Sequence, residues 1–265
     1  MNTNPIGIFD SGLGGLTVLK ALKEKFPKEK FIYVGDTAHL PYGSKSSESI
    51  TNYSIKIANY LTQVHNVKMI IIACHSASSI AYQKLTELFD VPIIDVIIPT
   101  CNLANQQTKS NNIAVLGTAA TITSKSYSQA LTKINNQLIV DELECPLFVP
   151  LVEEGLEDSI LADNAIDLYL HSIKSKNIDT IILGCTHYPI LKNKLSNYLG
   201  EKIQIINTAK SVANQLIKLD LLLDVNISEK ASDKYFVTDF PIKFDIHAKK
   251  FLGTNIIDIN HLVLE

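Results

Sequence analysis

Ile71-Ile72-Ala73-Cys74-His75-Ser76 and Ile182-Leu183-Gly184-Cys185-Thr186-His187 are the two stretches that decide the fold. Each is a short aliphatic run ending on a cysteine, followed by small or polar residues, as expected of a buried strand that opens into a loop. A second pair has the same relation: Ile6-Gly7-Ile8-Phe9-Asp10-Ser11 parallels Ala114-Val115-Leu116-Gly117-Thr118. The spacing within the pairs is roughly a hundred residues, too long for a solenoid repeat and suited to duplicated domains.

Working outward, strands are expected at residues 6–9, 31–34, 69–72 and 92–96, and in a second series at 113–116, 147–149, 180–183 and 203–206. Leu16, Leu19, Leu22 and Phe26 recur at helical spacing after the first strand. Strands alternating with helices imply an α/β fold with largely parallel sheets. The expected architecture is two similar lobes facing each other across a cleft. Residues 1–97 plus 208–265 form the first lobe, with the tail from about residue 210 packing back on it; residues 98–207 form the second. The polar stretch from Asn102 to Asn112 reads as a hinge. Open α/β sheets bind ligands at the carboxyl ends of their strands, where both cysteines fall.

The bulk composition narrows the function. The 265 residues are 46% hydrophobic and 19% charged, an ordinary globular balance, and the formal net charge of -3 disfavours a nucleic-acid partner. The amino terminus lacks the basic and apolar regions of a signal peptide. No apolar run approaches the roughly 20 residues needed to cross a bilayer. A cytosolic protein with reduced thiols is therefore expected, and the four cysteines, which show no close CxxC pairing, speak against a disulfide framework.

A single cysteine at a strand end means little, since free cysteines are commonly buried. Two at matching positions of a repeated unit suggest chemistry, whereas Cys101 and Cys145 lack that setting. Racemisation suits a symmetric thiol pair, because it removes a proton from one face of a carbon and delivers one to the other. With an ordinary pKa near 8.5, one thiol can begin as thiolate and its partner as thiol. Helpers that tune proton affinity are expected nearby: Asp10 beside Cys74, His187 two residues after Cys185, and Asp36 and Glu153 after the second strand of each lobe. The turn Ser11-Gly12-Leu13-Gly14-Gly15 offers backbone amides to a carboxylate, or is simply a tight βα turn. Tyr42, in Pro41-Tyr42-Gly43-Ser44, is either a lid or a packing aromatic.

Taken together, these segments resemble glutamate racemases of the aspartate/glutamate racemase superfamily, and the match runs through nearly the whole chain. Gly7 to Gly15, Tyr33-Val34-Gly35-Asp36, Pro41-Tyr42-Gly43, Gly117-Thr118-Ala119-Ala120-Thr121, residues 149–155 and Leu183 to Pro189 carry it in order. The resemblance implies interconversion of L- and D-glutamate without pyridoxal phosphate, metal or other cofactor, supplying D-glutamate for peptidoglycan. It implies Cys74 and Cys185 as the proton donor/acceptor pair, helped by Asp10, Glu153 and His187. Asp10, Ser11, Tyr42, Gly43, His75, Ser76, Thr118, Thr121, Thr186 and His187 are implied as substrate contacts. The expected partner is a small amino acid, with neither nucleic acid nor membrane, and a homodimer is compatible with it.

The family usually reads Cys-Asn-Thr where this chain has Cys74-His75-Ser76. Ser76 keeps the hydroxyl. His75 brings a larger ring, expected to donate one hydrogen bond and to become charged near neutral pH. Rival readings are a dinucleotide-binding oxidoreductase on Gly12-Leu13-Gly14 with Asp36, a metal hydrolase on Cys74, His75, Cys185 and His187, a racemase of aspartate or another amino acid, and a non-catalytic amino-acid-binding relative.

Overall fold

The computed structural model describes residues 3–218, 232–240, 244–254, 256 and 258–264. Along the chain come β1 (Ile6–Asp10), α1 (Leu16–Lys25), β2 (Phe31–Gly35), α2 (Ser47–Asn59), β3 (Met69–Ile72), α3 (His75–Leu88) and β4 (Ile93–Ile94). They are followed by α4 (Ile97–Gln107), β5 (Asn112–Gly117), α5 (Ala119–Thr123), α6 (Ser126–Ile134), β6 (Ile139–Glu144), α7 (Phe148–Glu153), α8 (Ile160–Leu170), β7 (Thr180–Gly184), α9 (Lys192–Leu199) and β8 (Gln204–Ile206). The remaining elements are α10 (Thr208–Lys218), β9 (Lys234–Val237), α11 (Phe244–Leu252) and β10 (Ile259–His261). Contacts divide the chain into two compact units, Met1–Val96 with Ala209–Glu265, and Ile97–Thr208.

In the first unit the sheet order is β10-β9-β2-β1-β3-β4, and in the second β6-β5-β7-β8, with every pairing parallel. The order β2-β1-β3-β4 is thus repeated as β6-β5-β7-β8, which bears out the expected pair of similar parallel-sheet lobes. The central strands β1, β3 and β7 are buried along their whole length. This is why they read as continuous apolar runs: helices cover both faces of a parallel sheet. In the second unit Ile113, Val115 and Ile182 join Ile97, Cys101, Tyr127, Leu131 and Ile206 in one core.

Three expected elements differ. Residues 147–149 are not a strand: α7 begins at Phe148, and Pro150 stands in its first turn, where no intrahelical N–H is needed. The strand lies earlier, at β6, and its acidic residues obscure it. As an edge strand it is only half-buried, and Asp141 and Glu142, on its two opposite faces, pair with Lys176 and Lys125. The fourth strand shortens to Ile93–Ile94. The expected hinge is mostly helix, because Cys101 and Ala104 bury one face of α4. The turn after it is pinned by Asp179, whose carboxylate accepts from the Thr108 hydroxyl and from the Lys109 and Ser110 amides, each at 2.7 Å.

The βα turn after β1 fits tightly against the strand ends. A Cβ added at Gly15 would lie 2.6 Å from the Asp10 Cβ and 2.9 Å from the Ala73 Cβ, both on strand ends that cannot move aside. Gly15→Ala is therefore expected to cost about 1–3 kcal/mol, as overpacking in a rigid core does. Urea unfolding of the variant checks it; an unchanged midpoint would show that the turn has room.

Candidate active site

In the first unit, β1 and β3 pair in register with Phe9 opposite Ile72, and the Ala73 amide donates to the Phe9 carbonyl at 2.8 Å. Asp10 and Cys74 therefore leave the sheet at neighbouring strand ends. Asp10 is fully buried, and its carboxylate accepts from the Gly12 amide at 3.0 Å, closing the glycine-rich turn. Cys74 stands at the amino-terminal cap of α3, where its sulfur accepts from the Ala77 amide at 3.4 Å. Its thiol donates to the Ser11 hydroxyl at 3.6 Å. The structure thus brings Asp10, Ser11 and Cys74 together, with His75 and Ser76 buried in the first turn of α3. A helix amino terminus stabilises negative charge on sulfur.

His75 departs from its expected behaviour. It is 3% exposed, and burial pushes its pKa down to about 3, so it stays neutral at physiological pH rather than charging there. It occupies the Asn position of the family pattern as a neutral side chain.

Tyr42 is a packing aromatic and not an open lid. It is fully buried, and its hydroxyl donates to Asp36 at 2.5 Å. Burial first, then the Asp36 charge, pushes its pKa up, so it remains a phenol and a donor. Asp36 also accepts from His39 Nδ1 at 2.8 Å and from the Thr238 hydroxyl at 2.8 Å. Its oxygens are thus occupied by protein donors, which argues against the ribose contact of a dinucleotide fold. Gly43 sits in the same short 3-10 turn, Tyr42–Ser44.

In the second unit, Leu116 pairs with Leu183 and Gly117 with Gly184, which brings Thr118 and Cys185 to the carboxyl ends of adjacent strands. The Thr118 hydroxyl caps α5, accepting from the Thr121 amide at 3.4 Å, and lies 3.1 Å from the Thr121 hydroxyl. The Cys185 sulfur is 3.9 Å from His187 Nδ1, and His187 Nε2 hydrogen-bonds Glu153 at the end of α7. His187 is 2% exposed. Burial opposes its charging, but hydrogen bonds with Cys185 and Glu153 outweigh that and push its pKa up to about 10. A doubly protonated ring donates in both directions, so Cys185, His187 and Glu153 form one charge chain. Thr186 is buried beside it. Cys101 and Cys145 are both buried, and burial pushes the Cys145 thiol up, keeping it protonated.

Among the described residues no group of three or more His, Cys, Asp or Glu is arranged to hold a metal ion, and no helix is long and apolar enough to cross a membrane. Sequence reasoning missed Thr238. It lies 202 residues beyond Asp36 in the chain, and nothing local marks a threonine at a strand end.

Residues 6–216 match the family Asp/Glu/Hydantoin racemase. The chain belongs to that family. It is 39% identical to a glutamate racemase of Geobacter metallireducens, over 98% of this chain and 97% of that one. It is 44% identical to one from Sulfurihydrogenibium sp., over 91% of each. The crystal structure of glutamate racemase from Francisella tularensis in complex with D-glutamate superposes with a TM-score of 0.92 at 35% identity, covering 100% of this chain and 99% of that one.

The contrast between the histidines has a measurable consequence. Below its ordinary value of 6.5, an unfolded His75 takes up a proton that the folded protein refuses until about pH 3. Its contribution to stability is therefore complete above about 6.5 and is lost as pH falls through that window. His75→Asn is expected to flatten the fall of stability with acid by up to about 1.4 kcal/mol per pH unit between about 6 and 4. Urea unfolding at a series of pH values measures the slope. Identical slopes in wild type and variant would mean the folded ring titrates like a free one.

Proposed function

We propose that this protein is a glutamate racemase that interconverts L- and D-glutamate by two thiols and without a cofactor, acting in the cytoplasm to supply D-glutamate for peptidoglycan. The observation that carries the reading is the Cys185–His187–Glu153 chain in one lobe. Its counterpart is a thiol at the equivalent strand end of the other lobe, capped by a helix and facing Ser11. Membership of the family and the relatives named above support glutamate as the substrate.

In this mechanism the Cys185 thiolate, paired with the His187 cation, takes the α-proton of L-glutamate. The Cys74 thiol delivers its proton to the opposite face, leaving D-glutamate, a Cys185 thiol and a Cys74 thiolate. The reverse reaction runs from that state, and exchange with solvent resets either form. Ser11 receives the Cys74 hydrogen bond at rest, and Glu153 keeps His187 charged. An α-proton beside a carboxylate is a very weak acid, so the site must stabilise the carbanion by preorganised donors. Ser76, Thr118, Thr121, Thr186 and the turn at Tyr42 and Gly43 are the groups proposed to hold the substrate, with neutral His75 as one more donor.

Circular dichroism of L- and D-glutamate incubated with the protein, chelator present and no pyridoxal phosphate, tests the reading. Loss of the signal from either enantiomer is expected, with L- and D-aspartate unchanged in parallel. Activity lost to chelator and restored by zinc, or faster turnover of aspartate, would overturn it. Cys74→Ser and Cys185→Ser are each expected to nearly abolish racemisation. Because Cys185 serves L-glutamate in this scheme, Cys74→Ser should still exchange the α-proton of L-glutamate and Cys185→Ser that of D-glutamate; a fully active serine variant would remove that thiol from the mechanism.

A further inference from the structure

The turn that carries Tyr42 and Gly43 is held by a segment from the far end of the chain. Asp36, which follows β2, is fully buried. Its carboxylate binds the Tyr42 hydroxyl on one oxygen and the Thr238 hydroxyl on the other. Thr238 follows β9, the neighbour of β2, and its amide donates to the Gly35 carbonyl at 3.2 Å. Its hydroxyl does two things at once, donating to Asp36 Oδ1 at 2.8 Å and accepting from the Ala38 amide at 2.9 Å. The next residue extends the clasp: the Thr37 hydroxyl donates to the Asp239 carbonyl at 2.5 Å, and the Asp239 amide donates back to Thr37 Oγ1 at 2.8 Å.

A hydroxyl is the smallest side chain that can donate to a carboxylate while accepting from an amide. Valine has the shape of threonine and neither capacity; serine keeps both. The clasp acts on Asp36 and on the backbone between Asp36 and Tyr42. We infer that Thr238 is a positioning residue: through Asp36 and Ala38 it fixes the Tyr42–Gly43 turn, so that the carboxyl-terminal segment sets the geometry of substrate binding. The inference rests on the reading that this turn touches glutamate.

The test uses the full chain with Thr238→Val and Thr238→Ser, read by backbone hydrogen exchange and by racemisation kinetics. In T238V, exchange across residues 36–45 is expected to rise while β1 and β3 stay at wild-type protection. KM for glutamate should rise about tenfold, the scale of one lost hydrogen bond to a charged group, with kcat within about twofold. T238S should restore both. Wild-type exchange at 36–45 in T238V, loss of protection spread equally over β1 and β3, an unchanged KM, or a T238S variant as impaired as T238V each overturns the inference. A wild-type protein that does not racemise glutamate would instead defeat the functional reading, and the exchange measurement would still decide whether the clasp holds the turn.

Discussion

Parallel pairing in register is the constraint on which the rest depends. Because Phe9 lies opposite Ile72 and Gly117 opposite Gly184, the central strands of each sheet end level, and the residues that follow meet without further design. Asp10 and Ser11 arrive beside Cys74, and Thr118 arrives at the strand end next to Cys185. A slip of one residue would send each of these side chains to the opposite face of its sheet. The close approach at Gly15 and the full burial of β1, β3 and β7 keep that slip from occurring.

On this frame the two thiols have different surroundings. Cys185 lies beside an imidazole that its own hydrogen bond and that of Glu153 hold charged. Cys74 has a helix amino terminus on one side and a hydroxyl acceptor on the other, which accommodates thiol and thiolate alike. Lobes alike in strand order are thus unlike in charge. In the proposed mechanism that asymmetry lets one sulfur begin as base and the other as acid. The mechanism needs this difference, since two thiolates or two thiols could not pass a proton through the substrate.

The parts of this arrangement legible in the sequence were those written in continuous local patterns. Buried strands such as β3 and β7 announce themselves as aliphatic runs, and the cysteine after each is read with them. The pattern failed where tertiary context decided the outcome. Edge strand β6 carries Asp141, Glu142 and Glu144 because one side of it faces water, so it did not look like a strand. Leu147-Phe148-Val149 looked like one because the helix there is buried on its apolar side. The charge of His75 was misjudged because depth of burial, not the neighbouring residues, sets it. Tyr42 could not be assigned as lid or packing group until Asp36 was seen to hold its hydroxyl. Thr238 was invisible because its partners Asp36 and Ala38 lie 202 and 200 residues away in the chain.

The central claim is that Cys74 and Cys185 act as two separate acid/base groups on opposite faces of the α-carbon. It is tested most directly by racemising L-glutamate in deuterated water and reading the α-position of substrate and product at low conversion. With two bases, the first D-glutamate formed carries deuterium, because its proton comes from a thiol equilibrated with solvent, while recovered L-glutamate stays protiated. Label appearing equally early in both enantiomers would mean that a single group handles both faces, and would contradict the account.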